Sequence, residues 1–233
     1  MHFTFYGDLL GIGSAYKLGA KTAYDKLNAF YNESFRTLVN PRHKVEMYSD
    51  SLLVIGDDAS DALTDIALLF ANLVRKGLLL RGAMVKRKLT YQARVTRQNF
   101  QKHLPNDDTL ARAVGLEKSQ RGSRFLIEPT LASDLLQDNP DWLSQEGYIR
   151  SISMQGNNAL RRICPTPDNN SFEYLYYWTD EIESNEYARR IKDLKDVMIM
   201  YDKPTREHFE ETIGVIERAK HRHKTTNERL GVR

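Results

Sequence analysis

The chain has 233 residues, 34 basic against 31 acidic side chains, a net charge of +3 and an apolar fraction of 41%. That is enough apolar material for one ample folded domain, and the balanced charge does not by itself ask for a nucleic-acid partner. A single cysteine, Cys164, rules out a disulfide framework within one chain and a cysteine-based zinc site. There is no apolar run of membrane-spanning length, and no basic n-region precedes the apolar residues of MHFTFYGDLLGIG. The expectation is a protein of the reducing cytoplasm.

Residues 2–9 alternate, with Phe3 and Phe5 on one side, and read as a first strand. Gly11 and Gly13 interrupt it. Residues 14–38 then place Tyr16, Ala20, Tyr24, Leu27 and Phe30 at steps of three or four, a helical stripe that stops at Asn40-Pro41. Two strands, 43–49 and 51–55, follow with only Ser49-Asp50-Ser51 between them, the signature of a tight hairpin. A second helix from Asp58 or Ser60 to Lys76 carries Leu63, Ile66, Ala67, Phe70, Leu73 and Val74 on one face, with Gly77 as its stop. Residues 78–85 read as a buried strand.

The order β-α-β-β-α-β predicts an α+β domain: a ferredoxin-like core with an antiparallel-rich sheet and both helices on one face. Beyond it, the pattern predicts helices at 107–119, Thr130–Leu136, 180–198 and 204–222, and strands at 123–127, 147–154 and 172–178. Residues 1–130 form the expected core, and 131–233 an elaboration of the same domain ending in a basic, frayed tail from Arg218 to Arg233.

In such a sheet the first strand neighbours the hairpin. Asp8 and Asp50 are 42 positions apart in sequence, yet they come to the same sheet end. Two carboxylates with oxygen-only surroundings suit Mg2+ or Mn2+ rather than zinc. The glycine-bearing turn after Asp8 opens a helix, where backbone N–H groups favour phosphate. Taken singly these are weak signals, since an Asp in a hairpin turn is common and short glycine motifs are frequent. Their convergence on one edge is the informative observation.

The segment F-Y-G-D-L-L-G-I-G resembles the first metal motif of class III nucleotide cyclases, roughly F-x-D-[IL]-x-G-[FI]. The segment K-V-E-M-Y-S-D-S-L-L-V resembles their second. The strand LRGAMV and the run Ala113–Lys118 are similar to small bacterial cyclase domains, above all the pyrimidine nucleotide cyclases of the Pycsar anti-phage system. The resemblance covers residues 1 to about 130. It implies that Asp8, Asp50 and the backbone carbonyl of Leu9 hold two divalent ions, Mn2+ or Mg2+, per site. It implies that Gly11 and Ile12 meet the triphosphate of a nucleoside triphosphate. It also implies a homodimer, and a separate effector protein that reads the product, with no membrane and no nucleic acid involved.

Two departures shape the expectation further. Where purine cyclases have I-G-D, this chain has Y-S-D, so that Tyr48 lines the base pocket and can fill the space a small pyrimidine leaves. Glu46 stands where guanylate cyclases carry a guanine-reading Glu, which keeps GTP open as a substrate. The Asn and Arg that purine enzymes use to stabilise the transition state align with Ala111 and Gly115. Their charge role passes to another basic residue, with Arg81, Arg112 and Lys118 as candidates. The expected activity is conversion of UTP to 3′,5′-cyclic UMP, against the alternatives of a cytidylate or guanylate cyclase or a degenerate nucleotide- or RNA-binding module.

Overall fold

The computed structural model describes residues 1–92, 96–97, 100–101, 104–138, 149–153, 170–174 and 184–230. The core is built as the alternation dictates. Strand β1 (Phe3–Leu9) is followed by α1 (Ile12–Leu18) and α2 (Ala20–Thr37), then the hairpin β2 (Lys44–Tyr48) and β3 (Ser51–Gly56), α3 (Ala59–Arg75) and β4 (Leu80–Lys86). The sheet order begins β2-β3-β1-β4, with each of these pairings antiparallel, which is the expected ferredoxin-like α+β arrangement.

The chain then adds a short hairpin, β5 (Thr96–Arg97) with β6 (Phe100–Gln101), followed by α4 (Thr109–Glu117), β7 (Phe125–Ile127) and α5 (Pro129–Asp138). Strand β7 pairs with β4 in parallel. Strands β8 (Ile149–Ser153) and β9 (Asn170–Tyr174) complete a seven-stranded sheet in the order β2-β3-β1-β4-β7-β9-β8. Two helices close the chain, α6 (Ser184–Met198) and α7 (Lys203–Leu230).

Because side chains alternate across a strand, the sheet has two different faces. Phe3, Phe5, Leu9, Leu52, Val54, Leu80, Met84, Phe125 and Ile127 point to one face. There they join Leu63, Ile66, Phe70 and Leu73 of α3, and Phe209, Ile213 and Ile216 of α7, in the main core. The other face carries Tyr6, Asp8, Ser51, Leu53, Arg81, Ala83 and Val85; among the described residues, two small clusters cover part of it, one with Ala113 and Leu116 of α4 and one with Leu89, Tyr91 and Leu110. The helix-covered face supplies the burial that drives folding, and the other is left for chemistry.

Several local expectations change on contact with the structure. The helix expected over 14–38 is two helices, because Gly19 breaks it at φ 139°. The break resets the helical phase, so Tyr16 and Tyr24 are exposed and the buried positions of α2 are Ala23, Phe30, Glu33, Ser34 and Thr37. The strand expected at 172–178 is observed over Asn170–Tyr174, and residues 175–178 lie outside the described residues. The tail from Arg218, expected to fray, is helical to Leu230. Elsewhere the local chemistry is as expected. Asp58 caps α3 by accepting the Ser60 and Asp61 N–H groups, and Gly77 follows that helix at φ 68°.

The packing of the central strands turns on a glycine pair. Gly7 of β1 faces Gly82 of β4 across the ladder. The ring of Phe5 lies over both, meeting Phe70 and Phe125 at centroid distances of 6.2 and 5.3 Å. A Cβ on Gly82 would sit 2.3 Å from that ring and 2.9 Å from the Tyr6 carbonyl. Gly82→Ala should therefore overpack the core and lower stability by about 1–3 kcal/mol, read as a lower urea midpoint with an unchanged slope.

Candidate functional site

The register of the central strands brings the two motif aspartates together. Asp8 stands opposite Ser51 on one side and Arg81 on the other. The two-residue turn Ser49-Asp50 joins β2 to β3, with Ser49 at φ 53°. The Leu9 N–H donates to the Asp50 carbonyl at 2.8 Å, so the hairpin tip is tied to the end of β1. The Leu10 N–H donates to the Leu79 carbonyl at 2.8 Å and ties that end to β4 as well.

The electrostatics show the charge of Asp50 reaching the Asp8 carboxyl. Burial lifts the Asp8 carboxyl above the ordinary carboxylate range, and the negative charge of Asp50 lifts it further. The Ser51 hydroxyl donates to Asp8 at 3.2 Å and opposes the lift, as do the positive charges of Arg81 and Lys118. Tyr6 continues the chain, its hydroxyl 3.1 Å from Ser51 Oγ. Arg81 does not neutralise Asp8 directly, because its guanidinium is ion-paired with the fully buried Glu117. The second oxygen of Glu117 is buried and has no hydrogen-bond partner among the described residues. Burial raises the Glu117 carboxyl, and Asp8 adds to that.

This donor set fits a hard divalent cation. Asp8 and Asp50 offer oxygen alone, and their mutual repulsion is what a cation between them would relieve. Among the described residues no cluster of three or more His, Cys, Asp or Glu side chains forms a ready metal cage. A cation here would therefore complete its shell with backbone carbonyls, water and substrate oxygens, the mode of Mg2+ at phosphate sites. Leu9 itself is buried, so its side chain belongs to the core and only its backbone is placed to serve. Beyond it, Gly11 turns the chain at φ 82° and Ile12 opens α1. A Cβ on Gly13 would meet nothing within 4 Å, so the first turn of α1 is open there, whereas one on Gly11 would meet Thr205.

Beside the carboxylates is a pocket of about 260 Å³ lined by Tyr6, Glu46, Tyr48, Ser51, Tyr91 and Leu110 among others. Tyr48 is 69% exposed at its rim, which places it at an accessible surface rather than in a core. Glu46 is already engaged, accepting from the Tyr91 hydroxyl at 3.1 Å and paired with Lys44. The Tyr91 hydroxyl is correspondingly pushed up to about 12 by burial and by the Glu46 charge.

Of the three basic candidates, the structure brings Arg81 and Lys118 to the carboxylate end. Arg112 goes elsewhere: it pairs with Glu128, whose other oxygen accepts the Lys86 N–H at the opposite end of β4. Ala111, at the position aligned with the missing Asn, is exposed on α4. Sequence reasoning missed Ser51, Tyr6, Glu117 and Tyr91. Tyr6 and Ser51 had a signal, since alternation puts both on the face of Asp8. Glu117 and Tyr91 had none, because their partners lie 36 and 45 residues away.

The chain matches no protein-family model, and no curated protein matches it in sequence. Solved structures do match in shape. An adenylate cyclase from Trypanosoma brucei, determined in its monomeric state, aligns at a TM-score of 0.54 and 10% identity, covering 75% of this chain and 88% of that one. The adenylyl cyclase CyaB from P. aeruginosa aligns at 0.51 and 15%, covering 74% and 92%. A non-canonical dimeric guanylyl cyclase domain from the aquatic fungus Blastocladiella emersonii aligns at 0.51 and 10%, covering 75% and 95%. The chain has the nucleotide cyclase fold.

The buried charge on Asp8 has a cost that can be measured. Its carboxyl is raised above the ordinary value, so the native state holds the proton more tightly than the unfolded chain does. The site thus lowers stability progressively as pH rises from the ordinary carboxylate value through the raised one, and the full cost is present above the raised value. Asp8→Asn should raise the metal-free Tm at pH 7 by about 2 °C, and this gain should vanish near pH 3. Added Mn2+ should raise the Tm of the unmodified protein and leave that of Asp8→Asn unchanged.

Proposed function

We propose that the protein is a pyrimidine nucleotide cyclase that converts UTP to 3′,5′-cyclic UMP and pyrophosphate. The observation that carries this reading is the meeting of Asp8 and Asp50 on the open face of a nucleotide cyclase fold, beside the glycine turn. Asp8, Asp50 and the Leu9 carbonyl would hold two divalent ions, Mn2+ or Mg2+. Bound there, the ions would supply Lewis-acid activation of the ribose 3′-hydroxyl and neutralise charge on the triphosphate.

The residues of the chain do the positioning. The turn at Gly11 and Ile12 presents backbone N–H groups to the phosphates. Arg81 and Lys118 supply positive charge at the end where Asp8 lies, the role the absent Asn and Arg would fill. The 3′-hydroxyl gives its proton to solvent, its oxygen attacks the α-phosphorus in line, the new O3′–P bond forms, and the bond to the pyrophosphate oxygen breaks, with pyrophosphate leaving. No side-chain nucleophile is needed; alignment and charge carry the barrier reduction.

Tyr48 supports the choice of base. It stands at the rim of a pocket walled by Tyr6 and Tyr91, and its ring would fill the space that a single-ring base leaves. Glu46 is held by Tyr91 and Lys44, which favours a structural task over reading guanine. Metal and base contacts are then shared between the two protomers of a homodimer, each contributing one open face. The resemblance to the Pycsar enzymes adds the setting: a cytoplasmic anti-phage signal read by a separate effector. No helix among the described residues is long and apolar enough to cross a membrane.

The test supplies ATP, GTP, CTP and UTP separately with Mn2+ and identifies products by mass spectrometry. Cyclic UMP is the expected product. Cyclic CMP or cyclic GMP would keep the chemistry and overturn the base, and no product with folded protein would favour a binding module. Asp50→Ala should lower turnover by about two orders of magnitude or more while leaving the circular dichroism spectrum intact. Tyr48→Ala should admit purine nucleotides.

A further inference from the structure

The carboxylate end of the sheet is touched by a segment nearly two hundred residues away. The turn between α6 and α7 ends in Asp202, whose carboxylate caps α7 by accepting the Thr205 N–H at 3.3 Å. The same carboxylate accepts the Ser14 hydroxyl at 3.1 Å and the Lys17 ammonium at 3.0 Å, both from α1. Hydrogen bonds from the Thr205 side chain, Lys17, Ser14 and the Thr205 backbone hold the Asp202 carboxyl well below the ordinary carboxylate range. The Thr205 hydroxyl lies 2.8 Å from Ser14 Oγ, and Thr205 is buried. Its methyl carbon is 3.2 Å from where a Cβ on Gly11 would be. Just before the cap, Tyr201 stacks on Phe209 at 5.3 Å and fixes the turn to α7.

Helix α7 also reaches the other flank of the same end. The Gly122 N–H donates to His208 at 3.1 Å, and the Ser123 N–H donates to the Thr212 hydroxyl at 2.8 Å. Ser123 in turn donates to the Leu80 carbonyl at 2.7 Å, and Leu80 is the ladder partner of Leu9. One helix therefore bears on both the glycine turn and the strand beside Asp8.

We propose that Asp202 and Thr205 are positioning residues for the triphosphate. Through Ser14 and Lys17, they fix the turn at residues 10–14 and the start of α1 relative to Asp8 and Asp50. The Ser14 hydroxyl is consumed by this brace, which leaves phosphate recognition in the turn to backbone N–H groups. An unbraced turn would have to be ordered by the substrate itself, and affinity would fall by that cost. This inference rests on the cyclase reading for the identity of the ligand, while the brace itself stands on the contacts.

The experiment uses the full chain and three variants. Thr205→Val keeps shape and loses the hydroxyl, Asp202→Asn weakens the cap and the Lys17 pair, and Thr205→Ser restores the hydrogen bond. Hydrogen–deuterium exchange is followed in residues 10–19 and in α3, and KM and kcat are measured with UTP. Thr205→Val and Asp202→Asn should raise exchange in 10–19 but not in α3, and raise KM about tenfold, with Thr205→Ser near the unmodified protein. Unchanged exchange in 10–19, a uniform rise across the chain, or faster exchange with unchanged KM would each overturn the proposal. If the unmodified protein cyclises no nucleotide, the proposed function fails, and inorganic tripolyphosphate becomes the probe. Weaker binding by Thr205→Val then supports the brace as a positioning device. Equal binding, or none by the unmodified protein, overturns it.

Discussion

The site depends on the register of β1 between β3 and β4. Side chains alternate, so a slip of one residue would turn Asp8 into the apolar core and bring Leu9 out to the open face. Several interactions forbid the slip at once. The Leu9 and Leu10 N–H groups are committed to Asp50 and Leu79. Phe5 needs Gly7 and Gly82 beneath its ring. Phe3, Phe5 and Leu9 are each buried almost completely. The apolar face and the backbone ladder together thus pin the geometry of the polar face.

That arrangement allows a destabilising group to be kept. Asp8 and Glu117 are both pushed toward their protonated forms by burial, and Asp50 adds repulsion. A protein selected only for stability would not retain this. Nearby positive charge is present, yet Arg81 is turned to Glu117 and Lys118 is exposed, so neither quenches Asp8 at contact distance. An electrostatic deficit of this kind is what a cation and an anionic substrate fill together. On the cyclase reading proposed above, the positive charge near Asp8 would not come from within α4. The charge comes from β4 and from the residue just after α4.

What the sequence made legible was whatever is written in local periodicity. Strands β1 to β4 and helix α3 follow from alternation, helical spacing and the Gly77 stop, and the element order then places Asp8 beside Asp50. The helix break at Gly19 was not legible, because a glycine amid a helical stripe is often tolerated; the true phase of α2 was lost with it, and Tyr16 and Tyr24 were assigned inward. Glu117 looked like one more charged residue at a helix end. Its meaning comes from Arg81, set opposite Asp8 by a ladder that no local pattern encodes. Tyr91 was silent for the same reason, its partner Glu46 being reached only through the folded loop.

The end of the chain carries the same logic one step further. Residues 204–222 read as a helix and Arg218 to Arg233 as a basic, frayed tail, and nothing in their pattern points to the first twenty residues. Yet Phe209, Ile213 and Ile216 enter the core that holds Phe3 and Phe5, and this burial brings the polar start of α7 against α1. Once the apolar side of α7 is docked, Asp202 has little freedom in where it places its carboxylate, and Ser14 and Lys17 are within its reach. The hydrogen bonds then add precision that apolar contact lacks, since they are directional and the burial is not. A non-directional force sets the position of the last helix, and a directional set of contacts converts that position into a fixed turn beside the two aspartates.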